Sequence, residues 1–336
     1  MVAVRRLGRA GLVVGPHSLG GAQLGNLDGP LTEADWRGII TTAWDFGVRY
    51  IDTAPHYGLG LSEQRLGEYL PNLPREEVLI STKVGRLLLP STIDGWDSEG
   101  FAVPANHLRV FDFSRDGILR SLETSLDRLR LERIDIVFVH DPDKHYRQAL
   151  TEAFPTLEEL RSQGVIRSYG AGMNQTAMLT DFVHHTDLDV VLVAGRYTLL
   201  DQTALNDLLP LCEARGVSVV AAGVFNSGLL ATPTPSPTAT YDYKPTPVEL
   251  LVRARRIAEV CALHDTTLPA AAAQFPLTHP AIATVCLGAR TPDQVKRNAR
   301  LFAETVPDSV WADLKAERLL RDDTPVHTKS LTREVR

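Results

Sequence analysis

The stretch RYIDTAPHYGLG, residues 49–60, ends what reads as a buried strand with an Asp, a His and a Tyr within six positions. Lys83 lies near the end of a second apolar run, ISTKVG, and His140 ends a third in IDIVFVHDPD. A strand-end Asp is often a turn residue and a lone His often a structural one, but Asp52, Tyr57, Lys83 and His140 at matching heights suit chemistry at an oxygen. A tyrosine with an ordinary pKa of about 10 is a weak acid and a poor base at neutral pH. A neighbouring ammonium favours the phenolate, so Lys83 is expected to bring Tyr57 toward the working range while Asp52 keeps Lys83 charged. His140 is placed to hydrogen-bond the oxygen that Tyr57 protonates or deprotonates. Such proton transfer to a carbonyl or alcohol oxygen calls for a hydride carrier alongside it.

A carrier of that kind needs a phosphate site. GLGLSEQ imitates the start of a Gly-rich dinucleotide loop, but Glu63 stands where the third glycine belongs and its charge would repel a pyrophosphate. CLGARTPDQVKRN serves better: Gly288 and Ala289 let the backbone approach, Arg290 brings charge, Thr291 is placed as an N-cap and Pro292 as the first helical residue. Two other chemistries fit these residues less well. A Schiff-base role for Lys83 needs a depressed pKa, whereas Asp52 would raise it. VHDPDKH gathers acids and histidines, yet the HxH pair of metal-dependent barrel hydrolases is missing and Pro142 starts a loop, so no metal is expected.

The elements that must position these residues recur with a clear rhythm. Eight short strand-like runs, most of them β-branched, at 17–24, 48–54, 78–85, 134–141, 167–173, 189–197, 217–225 and 282–289, alternate with amphipathic helical patterns. The expected product is an α/β fold, a (β/α)8 TIM barrel spanning residues 1–336 as one domain. VAVRRLGRAGLVVG reads as an N-terminal β-hairpin capping the barrel, PDSVWADLKAERLL as an extra C-terminal helix, and the last fifteen or so residues as loose. Long loops at 86–114 and 226–247 leave strand C-terminal ends, where barrel active sites lie, and are expected to select substrate. The chain has 35 Lys plus Arg against 41 Asp plus Glu, a net charge of −6, which speaks against a nucleic-acid partner. No segment approaches membrane-spanning length or a signal peptide, so the cytoplasm is expected. Cys212, Cys261 and Cys286 are far apart and read as reduced, buried thiols.

YIDTAPHYGLGLSEQRLGEYL, ISTKVG, IDIVFVHDPD, GAGMN and GARTPDQVKRN, in this order and spacing, resemble the aldo-keto reductases over nearly the whole chain. The resemblance implies Tyr57 as general acid/base, with Asp52, Lys83 and His140 completing a tetrad, and an NAD or NADP cofactor bound in an extended pose without a Rossmann domain. It places cofactor contacts at Gly21, Ala22, Asn174, Phe225, Asn226, Gly228 and Leu230, and at Gly288, Ala289, Arg290, Thr291, Gln294 and Asn298 for the adenosine phosphate end. Two positions depart from the family's pattern: Ala194 or Gly195 stands where many relatives have Gln, and Ala222 where an aromatic residue stacks on the nicotinamide, a task expected to fall partly to Phe225. Gln294 stands where many NADP-using relatives have Arg, which favours NAD, although Arg290 could still grip a 2'-phosphate. Within the family the chain is similar to the branch that oxidises L-fucose and D-threo-aldoses to lactones and includes a pyridoxal 4-dehydrogenase. The function this implies is hydride transfer between a cyclic hemiacetal and NAD(P), with substrate contacts expected at His56, Trp96 and Asp141. Pyridoxal oxidation, general aldehyde or ketone reduction and a cofactor-bound regulatory subunit are the alternatives, and the oligomeric state stays open.

Overall fold

The computed structural model of the chain describes residues 4–242 and 244–326. A hairpin of β1 (Arg5–Leu7) and β2 (Leu12–Val14) precedes the barrel. Eight parallel strands then close on themselves, each pairing with the next in this sequence: β3 (His17–Gly20), β4 (Tyr50–Asp52), β5 (Leu79–Val84), β8 (Ile134–His140), β9 (Ile166–Met173), β10 (Val190–Ala194), β11 (Ser218–Ala222) and β14 (Ile282–Gly288). These are the eight runs read from the sequence. Residues 2–3 of the expected hairpin, position 243 of the second long loop, and everything beyond 326 in the expected loose tail lie outside the described residues.

Strand alternation decides which side chains meet inside the barrel. Tyr50, Leu79, Ile136, Phe138, Val190, Leu192 and Val220 pack with Leu7, Leu12 and Val14 of the hairpin in one interior cluster. The hairpin therefore plugs the N-terminal end, as expected. Arg5 fastens it by donating to the carbonyls of Leu277, His279 and Ile282. Continuing two residues at a time along the same strands, Tyr50 leads to Asp52, Leu79 to Ser81 and Lys83, and Phe138 to His140. The opposite faces supply Ile51, Ile80, Val137 and Val139, which pack outward in the larger cluster.

The outer layer comprises α1 (Glu33–Asp45), α2 (Leu61–Tyr69), α3 (Arg115–Leu129), α4 (Tyr146–Gln148), α5 (Phe154–Ser162), α6 (Thr176–His185), α7 (Leu208–Arg215), α8 (Val248–Leu263), α9 (Leu268–Gln274), α10 (Pro292–Leu301) and α11 (Asp308–Ala316). A turn of π-helix, Ala149–Ala153, joins α4 to α5 just before Pro155, whose ring supplies no N–H for a regular turn. The expected C-terminal helix is α11. Helix α9 is additional to the sequence reading, because LPAAAAQ is buried from Leu268 through Ala273 and so carries no amphipathic period. The first long loop also differs: it folds into a β-hairpin of β6 (Arg86–Pro90) and β7 (His107–Phe111) standing over the mouth. The second carries only the two-residue strands β12 (Thr240–Tyr241) and β13 (Lys244–Pro245). All three cysteines are buried and free. Among the described residues no helix is long and apolar enough to cross a membrane.

Candidate active site

At the C-terminal rim the four residues predicted to act together meet. Lys83 Nζ donates to Asp52 Oδ2 at 2.6 Å, to the Thr53 carbonyl at 2.9 Å and to the Tyr57 hydroxyl at 3.1 Å. The other Asp52 oxygen accepts from Ser81 Oγ at 2.7 Å, and Ser81 in turn shares a 2.9 Å hydrogen bond with Tyr50. The acid is thus satisfied on both oxygens and holds the ammonium in one place. The His140 ring stands edge-on to Tyr57 with centroids 6.3 Å apart, and its Nδ1 is buried with no hydrogen-bond partner. Tyr57 is held from behind by backbone contact. A Cβ on Gly25 would lie 2.5 Å from the Tyr57 carbonyl carbon, and one on Gly58, at φ +65°, would lie 2.2 Å from the Gly25 carbonyl oxygen, so only glycines let these two segments touch.

Protonation follows from burial and neighbouring charge. Burial pushes the Tyr57 hydroxyl up to about 12, and the opposing pull of Lys83 does not offset it. The expected net lowering therefore does not occur, since desolvation of the phenolate outweighs one ammonium that Asp52 partly neutralises. For Lys83, burial acts to lower the pKa, but Asp52 and Tyr57 outweigh it and hold the pKa above the ordinary lysine value, which excludes a neutral amine nucleophile. Burial, then the positive charges of Arg86 and Lys83, drive His140 well below its usual range, so its imidazole is neutral. His56 falls to about 3, chiefly through burial.

A second polar layer surrounds the tetrad. Asp141 Oδ2 lies 3.5 Å from His140 Nε2 and is paired with Arg86. Arg109, from β7, pairs with Asp97 and donates to the His56 carbonyl at 2.9 Å. The apolar wall is Phe101, whose ring lies 5.2 Å from His56 and 6.2 Å from Tyr57. Of the expected substrate contacts, His56 and Asp141 belong to this cluster. Trp96 does not: it is 72% exposed in a turn bridged to Pro104, while Phe101 fills the inward slot against Leu59 and Val103. Arg86, Phe101 and Ser81 were missed as site residues. The Leu79, Ser81, Lys83 alternation could have revealed Ser81, whereas nothing in the sequence marks Arg86, which points inward because β6 turns back at the end of β5.

Residues 18–318 match the Aldo/keto reductase family. The chain belongs to that family. It is 45% identical to a D-threo-aldose 1-dehydrogenase of a Pseudomonas species, over 93% of this chain and 96% of that one. It is also 40% identical to a pyridoxal 4-dehydrogenase of Microbacterium luteolum, over 94% and 97%. Among solved structures, the holo form of a Bacillus halodurans aldo-keto reductase superposes with a TM-score of 0.73 at 27% identity, covering 96% of this chain and 97% of that one. The chain is accordingly an oxidoreductase of a family that works with NAD(P)H.

The rest of this aldo-keto reductase's mouth fits such a group. Where β4, β5 and β8 present the tetrad, the remaining strands carry at the same end only Gly20, Gly172, Ala194, Ala222 and Gly288, which place no bulky side chain there. Gly21 sits against the Asp52 carbonyl at 2.7 Å, and Ala22 starts the short turn behind it. Asn226 is 3% exposed, holds a positive φ of 46°, and both polar atoms of its side chain lack partners, an arrangement that awaits a polar group. The Asn174 side chain is exposed and its carbonyl accepts from Arg196 at 3.0 Å; Gly228 is exposed and Leu230 wholly buried. Phe225, three residues beyond the end of β11, is half-buried and packs against Ala270, Ala273 and Leu301. Thr291 caps α10 as read from the sequence, accepting from the Gln294 N–H at 3.1 Å, with Pro292 first in the helix. Asn298 holds the Gly288 carbonyl at 3.2 Å, after which Ala289 is buried. Arg290 turns toward the carbonyls of Leu27 and Gly29, while Gln294 Oε1 accepts from the Arg290 N–H at 2.7 Å. Glu63, in the rejected Gly loop, is fully buried and ion-paired to Arg128.

Proposed function

We propose that this chain is an aldose 1-dehydrogenase, acting in the cytoplasm on the cyclic form of L-fucose or a related free sugar, with Tyr57 as general acid/base. The observation that carries the reading is the Tyr57 hydroxyl, held 3.1 Å from Lys83 Nζ beside a neutral His140 and beneath a rim of paired charges. The C1 hydroxyl of a pyranose sits between Tyr57 and His140; Tyr57 Oη takes its proton, and Lys83 stabilises the phenolate that must form first. A neutral His140 donates one hydrogen bond that orients the sugar oxygen without competing for the proton. Asp52 keeps Lys83 charged. When bound, the nicotinamide cofactor supplies the hydride acceptor, and the sugar leaves as its lactone. Residues around Gly288–Asn298, Asn226 and Gly21 would hold that cofactor. NAD is the favoured form, because Gln294 stands where many NADP-using relatives have Arg and Arg290 is turned into two backbone carbonyls.

The test mixes the protein with NAD or NADP and L-fucose, L-galactose, D-arabinose, L-xylose, D-glucose or pyridoxal, and follows reduced nicotinamide by absorbance. Sugar-dependent reduction is expected. Tyr57→Phe should lower its turnover by about 10²–10⁴-fold, the range for general acid/base catalysis, while cofactor binding measured by fluorescence persists; unaltered turnover sinks the assignment. A second reading, pyridoxal oxidation, is favoured by the aromatic wall of Phe101 and His56 beside Tyr57, on which a flat pyridine ring could lie. Signal with pyridoxal alone would select it.

A further inference from the structure

Three cations ring the mouth, and each has its own carboxylate: Lys83 with Asp52, Arg86 with Asp141, Arg109 with Asp97. The two nearest histidines, His56 and His140, are held neutral, first by burial. Beside Asp141 the Asp143 carboxylate accepts from the Gln175 amide and, among the described residues, pairs with no cation. The rim therefore carries many fixed donors and acceptors and no uncompensated cation, an arrangement that rewards hydroxyl groups and gives an anion nothing to neutralise. Of the two outer pairs, Arg109 and Asp97 are nearly sealed, with side chains 11% and 4% exposed. Asp141 is 34% exposed, stands next to His140, and among the described residues no hydrogen bond reaches its Oδ1. Its partner Arg86 is 12% exposed and has a buried Nε with no acceptor. The Asp141 backbone is also unusual: it takes a positive φ of 42° while its N–H is fixed to the Gly172 carbonyl, which turns the carboxylate back over His140.

The geometry points to Arg86 and Asp141 as a charge-neutral recognition pair that selects uncharged substrates carrying a hydroxyl beside the reacting carbon. This rests on the aldose reading of the same site. Asp141 accepts from that hydroxyl and Arg86 donates to it, next to the oxygen held by Tyr57 and His140. Removing only the carboxylate would leave Arg86 uncompensated and open the site to anions.

The test compares the full-length enzyme with Asp141→Asn, Arg86→Lys and the double variant Arg86→Gln/Asp141→Asn. Three values of kcat/KM are measured: L-fucose oxidation, 4-nitrobenzaldehyde reduction and succinic semialdehyde reduction, with nitrobenzaldehyde as the internal reference. In every variant the fucose-to-nitrobenzaldehyde ratio is expected to fall by about 10- to 100-fold, as befits a lost charge-assisted hydrogen bond. The semialdehyde-to-nitrobenzaldehyde ratio should rise by roughly tenfold in Asp141→Asn alone and stay at the wild-type value in the neutral double variant. A fucose ratio that does not change, a semialdehyde ratio that rises in no variant, or loss of every activity together in all three would make the pair a structural brace and overturn the inference. A wild-type enzyme that reduces nitrobenzaldehyde but oxidises no aldose would instead defeat the aldose reading, leaving the pair to be judged on the semialdehyde ratio.

Discussion

Tyr57 poses the central problem at the scale of single residues, because its hydroxyl is pushed up to about 12 by burial while the oxidative reaction needs its phenolate. In the oxidative direction the active species is the deprotonated form, so sugar oxidation is expected to climb with pH throughout the range in which the protein is folded. Carbonyl reduction uses the phenol and should be flat over the same range. His140 adds no limb near neutrality, since burial and two cations keep it uncharged. Lys83 is the one group that opposes the effect of burial at Tyr57 by direct contact, at 3.1 Å. Lys83→Met should therefore raise the Tyr57 pKa further and move the oxidative limb to higher pH, with oxidation near pH 8 falling by about 10²–10³-fold. Initial rates of both directions against pH would check this, and an oxidative limb that stays in place in Lys83→Met would show that Lys83 does not govern the phenol.

Elements bring these residues together, and the contact of α2 and α3 with β5 shows how. Glu63 on α2 is wholly buried, takes a 2.5 Å hydrogen bond from Thr82 on the outward face of β5, and pairs with Arg128 on α3 at 2.6 Å. Thr82 lies between Ser81 and Lys83, so this pair braces the strand segment from which the tetrad projects. Arg128→Met strands a buried carboxylate and should cost about 3–5 kcal/mol, whereas adding Glu63→Gln should restore most of it. Denaturant midpoints of the single and double variants measure both, and a single variant as stable as the parent would show that the pair carries no load. The same elements show what a linear reading reaches. Six of the strands were legible as apolar runs rich in β-branched residues, as buried parallel strands are, and the runs at 17–24 and 167–173, which have none, only by their place in the alternation. The tetrad was legible because its members sit where those runs end. Helix α9 was not, since a helix buried on all sides has no period to read. The β6–β7 hairpin was not, because RLLLP and HLRVF are paired only by contacts across the loop. Trp96 and Phe101 could not be told apart in sequence, and the direction of the Tyr57 shift depends on burial, which exists only in three dimensions.

Taken whole, the molecule separates chemistry from closure. The tetrad and its rim occupy the C-terminal end of the barrel, while the hairpin plug, Arg5, His17 and His279 occupy the other. Both histidines there are neutral for reasons of packing. His17 stacks on Phe302 with centroids 4.7 Å apart, both ring nitrogens are unpartnered, and burial lowers its pKa to about 4. His279 is lowered to about 4 by burial and then by the positive charge of Arg5, and its Nδ1 accepts the Ala281 N–H at 3.1 Å, which it can do only unprotonated. The sign of the effect follows from these shifts. In the unfolded chain each histidine takes a proton near pH 6.5, whereas in the folded protein it resists until about pH 4. Stability is therefore complete above 6.5 and is lost as pH falls from 6.5 toward 4, below which these two groups cost nothing more. Protonation sets His279 against Arg5 at the plug, so this end of the barrel should loosen first in acid, ahead of the mouth. His17→Phe preserves the stack on Phe302 and removes one of the protons that the lowered histidines, His56 and His140 at the mouth included, take up on unfolding. The variant should flatten the dependence of unfolding free energy on pH between about 6 and 4.5 by close to 1 kcal/mol per pH unit, toward the limit of about 1.4 for a single proton. Urea midpoints at pH 7.5 and pH 5 in both proteins test it: equal losses in the two would mean that His17 exchanges no proton on unfolding in this range, and that the acid sensitivity of the barrel resides elsewhere.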